Sequence, residues 1–163
     1  MRDRGRFAVA LPAALLAACV LAPTAGPRST SPPPARASAE TQWACTLSGT
    51  QALPPNSSLA SGTCDLSLRG GQIHATLTWR DLSCPVLQVE FHGPAGPGEK
   101  GPLLWAFTPD ARGPRTWSPV EAGFDVSHTQ GDLLRDGRVY VDVRTAIHPG
   151  GEIRGQLTER AAD

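Results

Sequence analysis

The cysteine thiols are the side chains of this 163-residue chain whose chemistry is easiest to infer from their positions. Cys45 and Cys64 alternate in phase with apolar residues of the first two predicted strands, so both are expected to point into the core. Because two facing thiols can join in an oxidising compartment, we predict a Cys45–Cys64 disulfide. Cys84, which precedes Pro85 at a strand entrance, is the alternative partner. Whichever thiol stays single is expected to be a buried free cysteine.

The rest of the sequence lacks an arrangement typical of a catalytic centre. It contains no set of Ser, His and acid with a nucleophile elbow, and no glycine loop of the phosphate-binding type. The glycines fall in predicted turns, of which residues 92–101, HGPAGPGEKG, form the longest. Loops held by a rigid sheet are a usual place for binding. The sequence therefore predicts a protein that binds through loops and has no enzymatic activity.

The N-terminal segment has the pattern of an export signal. Three arginines within residues 1–6 precede an apolar run, residues 7–18, that is too short to span a bilayer. This run ends in Leu-Ala-Ala-Cys at 16–19, which is similar to the lipobox of bacterial lipoproteins, where the chain is cut before the cysteine. We therefore predict a lipoprotein signal peptide at 1–18 and lipidation of Cys19, which would anchor the protein to a membrane outside the cytoplasm. The alternative is an ordinary cleavage after Ala39, far from the apolar run.

The segment that follows, residues 19–42, is rich in Pro, Ser and Ala and poor in large apolar groups. Such a segment cannot bury enough surface to fold, so we predict a disordered tether. The whole chain has 15 basic and 15 acidic side chains. Cleavage would remove three arginines and one aspartate and leave a slightly acidic protein. Because no basic stripe interleaved with aromatic residues remains, nucleic acid is excluded as a partner.

Residues 43–160 are predicted to form one folded domain. Short runs that alternate between apolar and polar residues are separated by clusters of Gly, Pro, Asn and Ser. This pattern is typical of an all-β protein, either an antiparallel β-sandwich or a Greek-key barrel. Only residues 130–135 suggest a helical turn. About eight strands are predicted, at residues 43–49, 62–69, 72–80, 86–92, 102–108, 122–127, 138–145 and 152–158.

The last two predicted strands form a hairpin whose register can be argued from charge. Opposite charges across an antiparallel pair are favourable and like charges are unfavourable, each by roughly 0.2–1 kcal/mol. Pairing Arg144 with Glu152 also sets Asp142 against Arg154 and Val143 against Ile153, whereas a slip of two residues would face two arginines. We therefore predict this register and these two ion pairs. The alternating pattern places the charges on a solvated outer face of the sheet.

Three segments together are similar to the CHRD domain, a family named after repeats in chordin and common in exported bacterial proteins. The segments are LSGTQALPPNSSLASGTCDLSL (47–68), HGPAGPGEKGPLL (92–104) and DGRVYVDVRTAIHPGGEIRGQL (136–157). Their order and spacing fit the family across nearly the whole predicted domain. The resemblance implies an antiparallel β-sandwich, with a superoxide-dismutase-like strand arrangement as one form. It implies little about chemistry.

The resemblance does suggest where a metal would bind in other members of the family. Many members have two histidines in the second segment and a third before the last turn, a nitrogen set suited to copper or zinc. This sequence has Glu90 at the first of these positions and Arg144 at the third. Only His92 of the three histidines remains, and His148 is an additional histidine close in sequence to the third position. Because a guanidinium cannot bind a cation, we expect Glu90 and Arg144 to form an ion pair there instead, provided that their strands are neighbours.

The sequence as a whole predicts a non-enzymatic, lipid-anchored β-domain that binds or supports envelope components. A protein or glycan ligand at the loops is the expected partner besides the membrane, and no cofactor is expected. The alternative is a metal-binding or redox protein built around His92, Glu90 and His148.

Overall fold

The computed structural model describes residues 41–110, 112–113, 115 and 120–161. The predicted signal peptide, Cys19, most of the predicted tether and Trp117 lie outside these residues. The strands are β1 (Thr41–Ser48), β2 (Ser61–Arg69), β3 (Gln72–Arg80), β4 (Val86–His92), β5 (Leu103–Phe107), β6 (Val120–Asp125), β7 (Tyr140–Thr145), β8 (Ile153–Gln156) and β9 (Thr158–Glu159), with one helix, α1 (His128–Arg135), and a 3-10 turn at Gly49–Gln51.

The all-β prediction is confirmed, and each of the eight predicted strands begins and ends within two residues of an observed one. The two-residue alternation was sufficient because the strands turn alternate apolar residues toward the core. The helical turn expected at 130–135 is the end of α1, which begins with a capping box between Ser127 and Gln130. β1 begins at Thr41, so the last two residues assigned to the tether belong to the first strand.

The strands form one antiparallel sheet in the order β5-β4-β7-β8-β1-β2-β3-β6, with β9 paired to the start of β1. The two end strands of this order meet through side chains. Trp105 on β5 donates from Nε1 to the carbonyl of Asp125 on β6 at 3.3 Å. The rings of Phe107 and Phe124 lie 6.0 Å apart between the same strands. The sheet is therefore a nearly closed barrel.

The core fills the inside of this barrel and includes the apolar residues that alternate along the strands. The described tryptophans Trp43, Trp79 and Trp105 pack as core residues rather than forming an exposed platform. The largest fully buried apolar side chains are Trp43, Trp79, Phe91, Leu47, Leu66, Ile73, Leu77, Leu134, Ile153, Leu157 and Val86. Within the described part of the chain, no helix is both long enough and apolar enough to cross a bilayer.

The β7–β8 hairpin has the predicted register. Asp142 stands opposite Arg154, and Val143 stands opposite Ile153. The ladder continues beyond β8, since Leu157 donates its backbone N–H to the carbonyl of Val139 at 2.9 Å. The hairpin therefore brings the polar residues of β7 and β8 to one face, next to β4, which is the other neighbour of β7.

Candidate functional site

A polar pocket of about 190 Å³ lies on the outer side of the barrel, over β4, β7 and β8. We call it the β7 pocket because β7 forms its floor. Seven of its ten lining residues carry a charged or aromatic side chain. It is lined by Leu53, Glu90, His92, Lys100, Gly101, Tyr140, Asp142, Arg144, Gly150 and Arg154.

Sequence alternation placed these polar side chains on a solvated face, and this expectation is wrong. Tyr140 is 3%, Asp142 is 7% and Arg154 is 2% exposed. The reason is the loop of residues 93–101, which folds back over β7 and β8. Contacts between segments so far apart in sequence are not encoded in the local pattern that alternation reads.

Two side chains of β8 hold this loop in place. Arg154 donates from Nη2 to the carbonyls of Glu99 at 2.7 Å and Gly96 at 3.3 Å. Gln156 donates from Nε2 to the carbonyl of Ala95 at 3.0 Å. The closing strand is therefore hydrogen-bonded to the loop.

These contacts correct the predicted ion pair between Asp142 and Arg154. The two residues face each other across the strands, but their charged atoms do not approach within ion-pair distance because Nη2 of the arginine is turned toward the loop carbonyls. Arg154 instead lies over the ring of Tyr140, with its central carbon 3.5 Å from the ring centroid. This is a cation–π contact.

His92 and Glu90 form the β4 side of the pocket. The His92 ring stacks on the Tyr140 ring, at 5.1 Å between centroids and 11° between planes. Its Nε2 is 2.9 Å from Oε2 of Glu90, and its Nδ1 is 3.1 Å from the carbonyl of Gly101. The other carboxylate oxygen of Glu90 accepts from Nη1 of Arg144. Because β4 is the neighbour of β7, the expected Glu90–Arg144 ion pair is formed.

Asp142 is the residue of the pocket that the fold leaves least satisfied. Its Oδ1 is closed to solvent and has no hydrogen-bond partner among the described residues. Burial raises the pKa of Asp142 from 3.8 to about 6, and Glu90 adds to this increase, whereas Arg154, His92 and Arg144 oppose it. Gly151 packs so closely that a Cβ there would lie 2.9 Å from Oδ1. An unpartnered buried carboxylate oxygen is unfavourable for folding.

Glu152 shows the opposite arrangement and corrects the predicted ion pair with Arg144. Its side chain is fully buried, and its oxygens accept from Ser58 Oγ at 2.8 Å, Ser83 N and Oγ at 2.7 Å, and Thr145 Oγ1 at 2.7 Å. Burial alone would raise the pKa of Glu152, but these hydrogen bonds together hold it below its ordinary value. Arg144 is therefore free to pair with Glu90. We call the four residues Ser58, Ser83, Thr145 and Glu152 the Glu152 cluster.

The metal candidates do not come together. His148 lies in the β7–β8 turn, where its backbone bonds to Thr145 and Gly151, and it does not line the pocket. Within the described residues, no three His, Cys, Asp or Glu side chains form a group that could hold a metal. His92 and Glu90 bond to each other, and the Arg144 guanidinium occupies the third position. This donor set does not fit a copper or zinc ion.

The cysteines differ from the prediction in one respect. Cys45 stands directly opposite Cys64 on β1 and β2, but both are free thiols, as is Cys84. The Cys64 thiol is buried, and a hydrogen bond with Cys45 together with this burial raises its pKa. Alternation therefore correctly placed Cys45 and Cys64 opposite each other, but the predicted disulfide between them is absent from the described strands.

A larger groove of about 680 Å³ lies over β1, β2 and β3. Its polar side chains are already paired, since Arg115 bonds to Asp81, Arg80 bonds to Ser61, and the hydroxyl groups of Thr63 and Thr78 bond to each other. Among the described residues that line it, no buried polar side-chain atom lacks a partner. The smaller β7 pocket is therefore the stronger candidate for a binding site, because it contains a buried polar atom, Oδ1 of Asp142, that lacks a partner among the described residues.

Sequence reasoning missed the roles of Tyr140 and Lys100 and the unpartnered state of Asp142. One signal was present, since a tyrosine on an otherwise polar outer face indicates that something covers it. The long glycine- and proline-rich loop was the segment available to do so.

The comparisons with known proteins agree with this architecture. The family model described as the CHRD domain matches residues 43–157, which is more than half of the chain. No curated protein matches the chain, and no solved structure does. The match begins two residues inside β1, covers β2 to β8 in full and ends just before β9. The chain therefore belongs to the CHRD domain family.

Proposed function

We propose that this protein is an exported, lipid-anchored, non-enzymatic binding module that takes its ligand in the β7 pocket. The observation that carries the proposal is Asp142, a buried carboxylate whose Oδ1 has no partner among the described residues. Buried polar groups in folded proteins are nearly always hydrogen-bonded. A ligand that donates a hydrogen bond to this carboxylate would supply what the fold leaves out.

The surroundings of Asp142 support a binding role. Arg144, whose side chain is 35% exposed, and Lys100, which is also exposed, lie at the edge of the pocket, where they can reach a ligand from solvent. A few convergent polar groups in a concave site are typical of ligand binding. The pocket is built on three adjacent strands, so its geometry is fixed before a ligand arrives.

The bonding of His92 and Glu90 supports the non-enzymatic part of the proposal. A general base needs a nitrogen or oxygen that is free to take a proton from a substrate. Both ring nitrogens of His92 are engaged, one with Gly101 and one with Glu90. Both oxygens of Glu90 are engaged as well, with His92 and Arg144. His92 and Glu90 therefore fix the shape of the pocket, and Asp142 is the one carboxylate of the pocket with an oxygen still unpartnered among the described residues.

The lipid anchor rests on the sequence alone. Its support is the short apolar run after three arginines and the Leu-Ala-Ala-Cys ending at Cys19. Several acyl chains on one cysteine would each add about 0.8 kcal/mol per buried methylene, enough for stable attachment. The folded domain would then be displayed at a membrane surface, on the side away from the cytoplasm.

Binding is tested by thermal unfolding of the purified full-length protein, in detergent, against a library of small polar compounds. A compound that binds only the folded state raises the melting temperature, and the increase grows with the logarithm of its concentration relative to its Kd. We expect at least one compound to do so for the wild type and not for Arg144→Ala. The matched control Arg135→Ala removes an exposed arginine from α1 and should keep the response. A compound that is converted to product would contradict the non-enzymatic assignment.

The anchor is tested separately by growing cells with radiolabelled palmitate. We expect label on the wild-type protein and none on Cys19→Ala, whereas Cys84→Ala should remain labelled. An unlabelled wild-type protein would rule out lipidation.

A further inference from the structure

The balance of charge in the β7 pocket limits what it can bind. Three cationic side chains, Lys100, Arg144 and Arg154, line it together with two carboxylates, Asp142 and Glu90. A cationic ligand that reached Asp142 would lie close to three positive charges. An anionic ligand that reached the arginines would lie close to two negative ones. Charge of either sign is therefore opposed within the same small space.

A neutral ligand with several hydroxyl groups avoids this conflict. A hydroxyl both donates and accepts, so it can donate to Asp142 and accept from a neighbouring guanidinium or ammonium group. Hydrogen bonds to charged groups are about twice as strong as those between neutral groups. Arg144 also has hydrogens to offer, since only its Nε and Nη1 bond within the described protein, to Pro149 and Glu90.

The size of the pocket points to a single small unit. Its 190 Å³ is below the range of about 300–1,000 Å³ that is usual for drug-sized ligands, and at about 30 Å³ per molecule it has room for about six waters. That is the scale of one sugar ring and its hydroxyls, rather than a stretch of peptide. The carboxylate of Asp142 can present either oxygen to such a ring, because rotation about the terminal torsion of Asp is soft.

We infer that the β7 pocket binds a neutral sugar unit, such as the end of a glycan, whose hydroxyl groups bond to Asp142 and Arg144. This inference rests on the proposed function and narrows it to a ligand class. A carboxylate left unpartnered in the free protein would be paired in the complex. The stability lost in keeping it buried would then serve recognition.

The test is saturation-transfer NMR on the purified full-length protein in detergent. The probes are the methyl glycosides of glucose, galactose, mannose and N-acetylglucosamine, with acetate and methylguanidinium as small charged probes. We expect saturable binding of at least one glycoside and at least tenfold weaker binding of both charged probes. Asp142→Ala should weaken glycoside binding about tenfold, the loss of one hydrogen bond to a charged group. The matched control Asp110→Ala, at an exposed aspartate, should bind like the wild type.

The outcomes separate the inference from the proposed function. Asp142-dependent binding of acetate or methylguanidinium alone would refute the sugar inference and leave a binding function in place. Failure of every probe would mean a pocket that holds water only, and would count against both. Thermal unfolding of Asp142→Ala shows whether weaker glycoside binding by this variant comes from a destabilised fold. A melting temperature below that of the wild type would show that Asp142 supports the fold, which also contradicts the inference.

Discussion

Asp142 and Glu152 are buried carboxylates ten residues apart on the same hairpin, and the fold treats them in opposite ways. Glu152 accepts hydrogen bonds from Ser58 and Ser83 of distant segments and from Thr145 of its own hairpin, and its pKa is lowered. Asp142 has an oxygen that lacks a partner among the described residues, and its pKa is raised. The Glu152 cluster therefore joins loops to the barrel and stabilises the fold, whereas the buried carboxylate of Asp142 lowers the stability of the fold. Burial alone therefore does not separate a carboxylate that supports the fold from one that we propose to bind a ligand. The hydrogen bonds that each carboxylate accepts do separate them.

The largest expected effect is the loss of the Glu152 cluster. Glu152→Ala should lower the free energy of unfolding by about 4 kcal/mol at pH 7, because several buried donors lose a charged acceptor at once. Urea denaturation followed by tryptophan fluorescence measures this loss. The matched control Glu121→Ala, at an exposed residue of β6, should change stability by less than about 0.5 kcal/mol. A loss below about 1 kcal/mol for Glu152→Ala would remove the structural role assigned to this residue.

The pH dependence of that loss has a definite sign. The pKa of Glu152 is lower in the folded protein, so its ionised form stabilises the fold at pH values above its ordinary pKa. This contribution disappears as the pH falls through the lowered pKa. The difference between the wild type and Glu152→Gln should therefore be largest near neutral pH and shrink in acid. A difference that grows as the pH falls would contradict the hydrogen-bonded carboxylate.

The next effect has the opposite sign, because Asp142 should destabilise the free protein when it is ionised. Its pKa is raised from 3.8 to about 6 on folding, so its favourable contribution is complete below the lower value and is lost as the pH rises through the higher one. At 1.36 kcal/mol per unit, Asp142→Asn should stabilise the free protein by about 3 kcal/mol at pH 8 and by almost nothing at pH 3. Chemical denaturation at both values measures this, with Asp110→Asn as the control. A destabilised Asp142→Asn at pH 8 would abolish the contrast with Glu152.

A smaller effect is expected at the Glu90–Arg144 pair, which lies between the two extremes. Arg144→Ala removes a partly exposed guanidinium, and Glu90 keeps its contact with His92. The stability should fall by about 1 kcal/mol, since solvent screens the pair but Glu90 is largely buried. Denaturation in low and high salt checks this, and the loss should decrease in high salt. A loss as large as that of Glu152→Ala would mean that the pocket is itself a structural element.

The smallest effect sets the baseline for the series. Arg135→Ala breaks an exposed ion pair with Asp132 on α1. Such pairs contribute about 0.3–0.5 kcal/mol, so the melting temperature should change very little. A loss above about 1 kcal/mol would show that side-chain packing of the helix, and not charge, dominates these comparisons.

Sequence reasoning reached the strands and their register because both depend on local signals. The alternation of Val139, Val141 and Val143 predicted which face of this segment is buried. The register was argued from two ion pairs that do not form, although Asp142 does stand opposite Arg154 and Val143 opposite Ile153. The same reasoning could identify Cys45 and Cys64 as cross-strand neighbours. In each case the deciding interaction lies within one strand or between adjacent strands.

The contacts of the polar side chains could not be predicted from such local sequence signals. Glu152 finds Ser58 and Ser83, which lie 94 and 69 residues away, and Arg154 finds the carbonyls of the 93–101 loop. These contacts depend on how loops fold over the outside of the barrel. The folding of the loops leaves no periodic pattern in the sequence. The outward residues Tyr140 and Asp142 of β7 were therefore assigned to solvent, although both are buried.

The contrast between the two carboxylates can be measured directly by following both side-chain carboxyl carbons by NMR as the pH is changed. The account predicts that in the free full-length protein Asp142 titrates with a pKa of about 6, while the pKa of Glu152 lies below its ordinary value. Adding a glycoside that binds should lower the pKa of Asp142, because a donated hydrogen bond favours the ionised form. A pKa of Asp142 near or below 3.8 in the free protein would show that the carboxylate is already satisfied, and the central claim would be wrong.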